Sequence, residues 1–321
     1  MSSSNSEVSG SGRIIILTVL VIFIIGVITG VIIYADKVAP FRAPVLKVDD
    51  AEVSMSYFLK RAARAFGEPA SVLQTLIIEE IIKQVVPKIP YSIKVTEADV
   101  EKAMREMAAV SLELDEGAVI GESEFQSWYQ QELGMSGLTN AEYREKLRVD
   151  LLRSGLISYL AERIPTVAEQ VKLYAITVGS VSEAQRIMER LNAGEDFVRV
   201  AEELQANGLL IVPEFEIGWR PRSALSTTLA SVAFDQLEVG EHSEPLVAGQ
   251  QYYTIVKVAD RARARQVDEE VLAMQKSSVF DSWLQQEVGR HNIAVHGIKN
   301  GYDEETRAWV SWQLQKMRRR D

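Results

Sequence analysis

The chain has 321 residues, 47% of them hydrophobic and 25% charged, with 35 basic against 45 acidic side chains and a formal charge of −10. This composition excludes wholesale disorder and collagen-like or low-complexity architecture, and the length fits two domains with additional segments. With no cysteine and only three histidines, disulfides, thiolate metal sites, a cysteine nucleophile and a cysteine-linked lipid are excluded, no metal or other cofactor is expected, and the acidic balance argues against nucleic acid as a partner.

Residues 1–13 form a polar tail. Ile14 to Tyr34 then runs 21 residues without a charge, which as a helix spans about 30 Å, one hydrocarbon thickness. The run is longer than the apolar core of a signal peptide, and no small-residue cleavage site follows it, so it reads as an uncleaved transmembrane anchor. Flanking charges are nearly balanced, Arg13 on one side and Lys37 and Arg42 on the other, and do not set an orientation. The short tail before the anchor and the large domain after it favour a single-pass cell-membrane protein with its C-terminal domain outside the cytoplasm.

A linker leads into a brief strand and turn at Val45–Asp50. Apolar spacing then predicts helices over 54–66 and 71–86, the second stopped by Pro87 and Pro90. Thr96 caps a further helix to about Val110, with Asp99 at the reciprocal capping-box position. Two amphipathic helices follow, SEFQSWYQQELG and TNAEYREKLRVDLLRSGLISYLAERI, the latter capped by Thr139 or Asn140. Beyond Pro165 the pattern changes to β-α-α-α-β. A strand at Val171–Val178 precedes helices at Ser182–Asn192, ended by Gly194, and at Phe197–Gln205; apolar stretches lead to a β-branched strand at Tyr252–Val258. Helices return over Val267–Val288 and Asp303–Arg319. The expected fold class is α+β: a helical domain over 45–165, a small sheet-containing domain over 166–261, and helices over 262–321 that pack back on the helical domain.

The pieces VKLYAITV, EAQRIMERLNAGEDFVRVAEEL, EIGW, SALSTTLASVAFDQLEVGEHSEPLV and YYTIVKV stand in that order between Val171 and Val258. Together they resemble the first strand, two-helix motif, glycine turn, helix-and-loop and closing strand of a parvulin-type (PpiC) peptidyl-prolyl isomerase domain with a four-stranded sheet. Upstream, VLKVDDAEVSMSYF, SVLQTLIIEEII, VTEADVEKAM and SEFQSWYQQELGMSGLTNAEYREKLRVDLL are similar to the helical chaperone domain of extracytoplasmic foldases of the SurA and PrsA type. The resemblance covers most of the chain beyond the anchor.

It implies an apolar wall, two histidines on adjacent strands and a nearby acid or thiol. The wall falls on Leu225, Leu229 and Phe234, with Leu225 and Leu229 four residues apart on one helical face. The two histidine positions, which would be catalytic, fall on Ala175 and Thr254, and Asn207 is the only substitute for the acid. The resemblance therefore implies a membrane-anchored foldase acting on unfolded or secreted polypeptides, with weak or no isomerase activity. A non-catalytic holdase built on a degenerate parvulin domain is the alternative, and a structural membrane tether a third reading.

Other conspicuous residues take ordinary readings. His242 falls in a solvated loop, and His291 and His296 in exposed turns. Glu195 and Asp196 stand at a helix start, where the dipole favours carboxylates. Arg261, Arg263 and Arg265 alternate along a solvated strand face, and Lys316 with Arg318 to Arg320 forms a basic run that reads as solvated, with contact to anionic lipid the alternative. Phe125, Trp128, Tyr129, Trp283, Trp309 and Trp312 read as mostly core aromatics, some able to line a client-binding cleft.

Overall fold

A computed structural model of the protein describes residues 20, 23–31, 34–35, 38–65, 68–88, 90–115, 120–248, 252–298 and 301–319. The expected anchor, 14–34, falls partly outside them; residues 20, 23–31 and 34 are helical and exposed. Among the described residues no helix is long and apolar enough to cross a membrane. The chain divides into two compact units, Met1–Leu156 with Trp283–Asp321, and Ile157–Ser282.

In chain order the elements are α1 (Ala39–Arg42), β1 (Pro44–Val48), β2 (Ala51–Ser54), α2 (Met55–Arg64), α3 (Pro69–Val85), α4 (Glu97–Ser111), α5 (Glu122–Ser136) and α6 (Asn140–Ala161). Then follow β3 (Val167–Val178), α7 (Val181–Asn192), α8 (Phe197–Ala206), β4 (Glu216–Pro221), α9 (Thr227–Ser231), β5 (Leu246–Ala248), β6 (Tyr252–Gln266), α10 (Glu269–Val288), β7 (Ile293–Val295) and α11 (Glu304–Arg318). The mixture of helices and two small antiparallel sheets is α+β.

The first unit is built on a sheet in the order β2-β1-β7. Val45, Leu46, Phe58, Leu76, Ile81 and Val310 are fully buried around it. Under this core the Arg61 guanidinium donates to both carboxylate oxygens of Glu79, at 2.8 and 2.7 Å, with side chains only 13% and 11% exposed. Burial acts against the Arg61 charge, but Glu79 outweighs it and holds the guanidinium above its ordinary range. A second cluster joins α4, α5 and α6 through Met104, Phe125, Trp128, Tyr129, Tyr143 and Leu147. The starts of α4 and α6 carry capping boxes: Asp99 N donates to Thr96 Oγ1 while Thr96 N donates to Asp99, and Thr139 and Glu142 repeat the exchange.

Two ordinary readings fail in this unit. His291 is no exposed turn residue: its side chain is 9% exposed, with Nδ1 2.6 Å from Asp49 Oδ2 and Nε2 3.7 Å from Glu287 Oε1. Asp49 closes the β1–β2 turn at φ 54° and also accepts from Asn292 N, which ties the hairpin to the approach of β7. Trp312, expected among the core aromatics, is 54% exposed on α11.

In the second unit the sheet order is β4-β3-β6-β5, all neighbours antiparallel. Period-2 alternation divides β3 and β6 between two faces. Ile176, Val178 and Ile255 point to α7 and α8, where Ala184, Ile187, Phe197 and Val200 complete a core. Ser180 and Asp196 cap these helices, and Gly194 ends α7 at φ 89°, a left-handed position that only glycine takes without strain. The Asn207 amide donates to Glu203 O and caps α8 from within.

Both main strands run further than periodicity predicts. Residues 167–172 pair with 260–266 across two bulges, and Gln170 Nε2 fills one of them by donating to Arg265 O at 2.8 Å. Residues 262–282, assigned by sequence to the returning helices, belong to this second unit because β6 continues to Gln266 and Gln275 on α10 donates to Ser223 Oγ at 2.7 Å.

Candidate functional site

The free face of β3 and β6 lies opposite α7 and α8. From β3 it receives Val171, Leu173, Ala175 and Thr177, and from β6 Thr254, Val256 and Val258. Ala175 pairs with Val256, and Thr177 pairs with Thr254. Ala175 and Thr254 therefore share this face on adjacent strands, one register step apart. None of these seven side chains titrates at physiological pH. The Thr177 and Thr254 hydroxyls lie 2.9 Å apart and bond each other. Beside them Ser243 ties the loop to the strand, since Val256 N donates to Ser243 Oγ at 3.1 Å and Ser243 N donates to Val256 O at 2.8 Å.

Over the face runs the chain from Leu225 to Leu237. Leu225 and Leu229 do not share a helical face. Leu225 is extended, at φ −112° and ψ 154°, and α9 begins only after Ser226, whose Oγ accepts from Leu229 N. The helix then widens into a π-turn over Val232–Gln236. The two leucines consequently sit in neighbouring apolar clusters. Leu229 packs with Ala175, Val232 and Val256, whereas Leu225 packs with Val171, Leu173, Ala233, Phe234 and Val258. Ile217 and Leu237 touch both clusters and make them one layer. Leu225, Leu229, Ile217 and Leu237 are half-buried, while Phe234 is only 7% exposed. EIGW is a strand edge rather than a turn: it opens β4, which shifts register against β3 between Leu173 and Tyr174, with Gly218 at φ 80°.

Two arginines bracket Phe234, with the Arg222 and Arg261 guanidinium carbons 4.8 and 5.8 Å from its ring centroid. Arg222 pairs with Asp235, and that hydrogen bond holds the Asp235 carboxyl below the ordinary carboxylate range. Arg261 does not belong to a solvated face. It donates to the carbonyls of Phe234, Ala233 and Leu237 at 2.9, 3.0 and 3.1 Å, and so satisfies the end of the π-turn. Arg265 stacks over Trp219 at 4.7 Å. His242 is half-buried in a backbone bridge to Lys257. Sequence reasoning passed over Thr177 and Ser243 and misread Arg261 as solvated. Strand alternation pointed to Thr177, two residues beyond Ala175, but nothing local signalled the other two.

The first unit carries a separate apolar groove of about 660 Å³ between α4 and α6. Met107, Val110, Tyr143, Leu147 and Leu151 line it, and Val110 is 78% exposed.

No family model matches the chain. It is 26% identical over 213 residues to the chaperone SurA of Alcanivorax borkumensis, a match covering 59% of this chain and 47% of that protein. It is 22% identical over 235 residues to the foldase protein PrsA of Halalkalibacterium halodurans, covering 68% of this chain and 65% of that one. The chain thus spans about half and about two thirds of the length of these relatives. Among solved structures, PrsA of Bacillus anthracis aligns at 17% identity and a TM-score of 0.39, over 76% of this chain and 96% of that one. A SurA-like chaperone of Campylobacter jejuni aligns at 14% identity and a TM-score of 0.34, over 79% and 99%. By sequence the chain is thus related to SurA and PrsA foldase chaperones, the proteins that its motifs resemble.

Proposed function

We propose that the protein is a membrane-anchored, extracytoplasmic folding factor that binds unfolded segments of secreted polypeptides and catalyses prolyl isomerisation weakly or not at all. The observation that carries this reading is the face of β3 and β6, which presents half-buried apolar side chains and a pair of hydroxyls but no imidazole. Rotation about a prolyl bond crosses a barrier of about 18–20 kcal/mol, set by amide resonance. A protein lowers it by gripping the ring in an apolar pocket, excluding water from the carbonyl and weakening resonance through a polar partner. Leu225 and Leu229 keep reachable apolar edges for the first task, whereas Phe234 is core and packs beside Leu225. Thr254 offers one hydroxyl, already shared with Thr177, for the last. That supports holding more than turnover, and the exposed groove between α4 and α6 supports holding by the helical unit as well. The charge-free run 14–34 supports the anchor, as does the exposure of its described residues, 68% at Phe23 and 61% at Val31.

A coupled proline-isomerisation assay on the full chain in lipid nanodiscs, run beside suppression of client aggregation, tests the reading. Suppression with little or no acceleration is expected. Acceleration at an efficient rate that Leu225→Asp abolishes would replace it with a catalytic foldase, and failure of both assays would overturn folding assistance. Histidines restored together by Ala175→His and Thr254→His should raise isomerisation if the apolar layer still admits proline.

A further inference from the structure

We propose that the end of α11 is a second membrane contact, in which Trp312, Lys316 and Arg319 lie on anionic lipid headgroups beside the anchor. The inference rests on the reading of 14–34 as a membrane anchor and adds to it how the first unit meets the bilayer. Trp312, Lys316 and Arg319 stand at i, i+4 and i+7, on one side of the helix, and all are exposed. Lys316 Nζ lies 5.3 Å from the Trp312 ring centroid, which places an indole and cations in one patch. A tryptophan flanked by cations suits a membrane interface, where the ring sits at headgroup depth and the charges meet phosphate. Such a patch is out of keeping with a chain of net charge −10. Glu304 and Glu305 stand at the opposite end of α11, about three turns away.

The fold also brings this helix to the anchor. Val38 N donates to Tyr34 O at 3.0 Å, which ties the start of the ectodomain to the end of the apolar run. Phe41, on α1, then packs against Trp309 at 5.3 Å between ring centroids. Even fully extended, the seven residues from Tyr34 to Phe41 reach at most about 25 Å, so α11 is tethered within that distance of where the apolar run ends. Trp312 is one helical turn beyond Trp309. Arg318 Nε donates to Ala63 O at the end of α2, at 3.3 Å, which fixes the basic end of α11 on the unit.

The test uses the full chain in vesicles of zwitterionic phosphatidylcholine, with or without 30% phosphatidylglycerol, with some lipid brominated along its chains to quench nearby tryptophan. In anionic vesicles, part of the emission should be quenched; Trp312→Phe should remove that part, and Lys316→Glu with Arg319→Glu should weaken it. Each basic side chain near an anionic surface shifts the contact equilibrium about fivefold, so the double charge reversal should shift it at least twenty-fivefold. High salt should release the contact. Circular dichroism of the variants shows that they fold. A chain that does not float with vesicles of either composition overturns the anchor, and this contact with it. A chain that floats, with Trp312 unquenched or quenched equally in both lipids, overturns the contact alone. Trp312 shielded from aqueous iodide but not quenched by brominated lipid would place protein over the patch and overturn the lipid assignment.

Discussion

Replacing Arg261 by methionine tests how the wall over the candidate site is held. The guanidinium donates to three backbone carbonyls, those of Ala233, Phe234 and Leu237, and its side chain is 26% exposed. A hydrogen bond from a charged donor is worth about 1.5–3 kcal/mol when its partner is left unsatisfied. The three bonds share one group, and water reaches part of it, so Arg261→Met is expected to cost about 2–4 kcal/mol rather than three full bonds. The contact to Glu169 at 3.7 Å adds at most about 1 kcal/mol and fades in salt. Hydrogen exchange in rising urea, followed on peptides covering β3 and β6, isolates the second unit. Arg263→Met, at an exposed neighbour on the same strand, is the control and should stay within about 0.5 kcal/mol of the parent. Because the acceptors are neutral carbonyls, the loss in Arg261→Met should persist in high salt. A loss equal to that of Arg263→Met, or one that disappears in salt, would refute the reasoning and return Arg261 to a solvated face.

Glu79→Leu strands the Arg61 guanidinium in the first unit and should cost about 3–5 kcal/mol, while adding Arg61→Met should recover most of it; a single-variant loss under about 1 kcal/mol by urea unfolding would show that the pair is hydrated. The Asp49 carboxyl is held below its ordinary 3.8, first by the hydrogen bond from His291 and then by Asn292 N–H. A depressed carboxylate stabilises the fold above the ordinary value and loses that contribution as pH falls below it, so Asp49→Asn should flatten the decline of the first unit below pH 3.8; unchanged slopes would count against the clamp. Burial first, and Glu132 second, push the Tyr143 phenol up to about 12. The neutral phenol therefore stabilises the fold up to its ordinary 10.0, and the contribution is lost as pH rises from there through about 12. Tyr143→Phe should reduce that alkaline decline, measured by unfolding at stepped pH; a decline equal to the parent's would be contrary to the assignment.

The elements legible in the sequence are those governed by contacts a few residues apart. The capping box at Thr96, and a cap at Thr139 or Asn140, could be read because donor and acceptor lie three residues apart, and the cores of β3 and β6 because alternation is a two-residue property. The ends of those strands were not legible. DRARARQ announces an exposed surface, which says nothing about whether its backbone pairs, and pairing there required two bulges and the Gln170 amide. His291 was misread for the same reason, since its partner Asp49 lies 242 residues away. At the candidate site, alternation and the motif match brought Ala175 and Thr254 to one face. The hydroxyl bond of Thr254 to Thr177 depends on a register set across 77 residues, which no local pattern specifies. Leu225 and Leu229 show the limit from the other side. Four-residue spacing is compatible with one helical face but does not require it, and a serine between them that caps a helix start divides the pair. Two interactions with free backbone groups shape the wall more than the leucine spacing does: Ser226 Oγ accepts from Leu229 N–H at the start of α9, and Arg261 donates to the carbonyls of the π-turn. The wall therefore begins at a hydroxyl that takes a free N–H of the first turn of α9 and ends at a guanidinium that covers carbonyls of the π-turn. Its apolar side chains face β3 and β6 because both ends of that short segment are held.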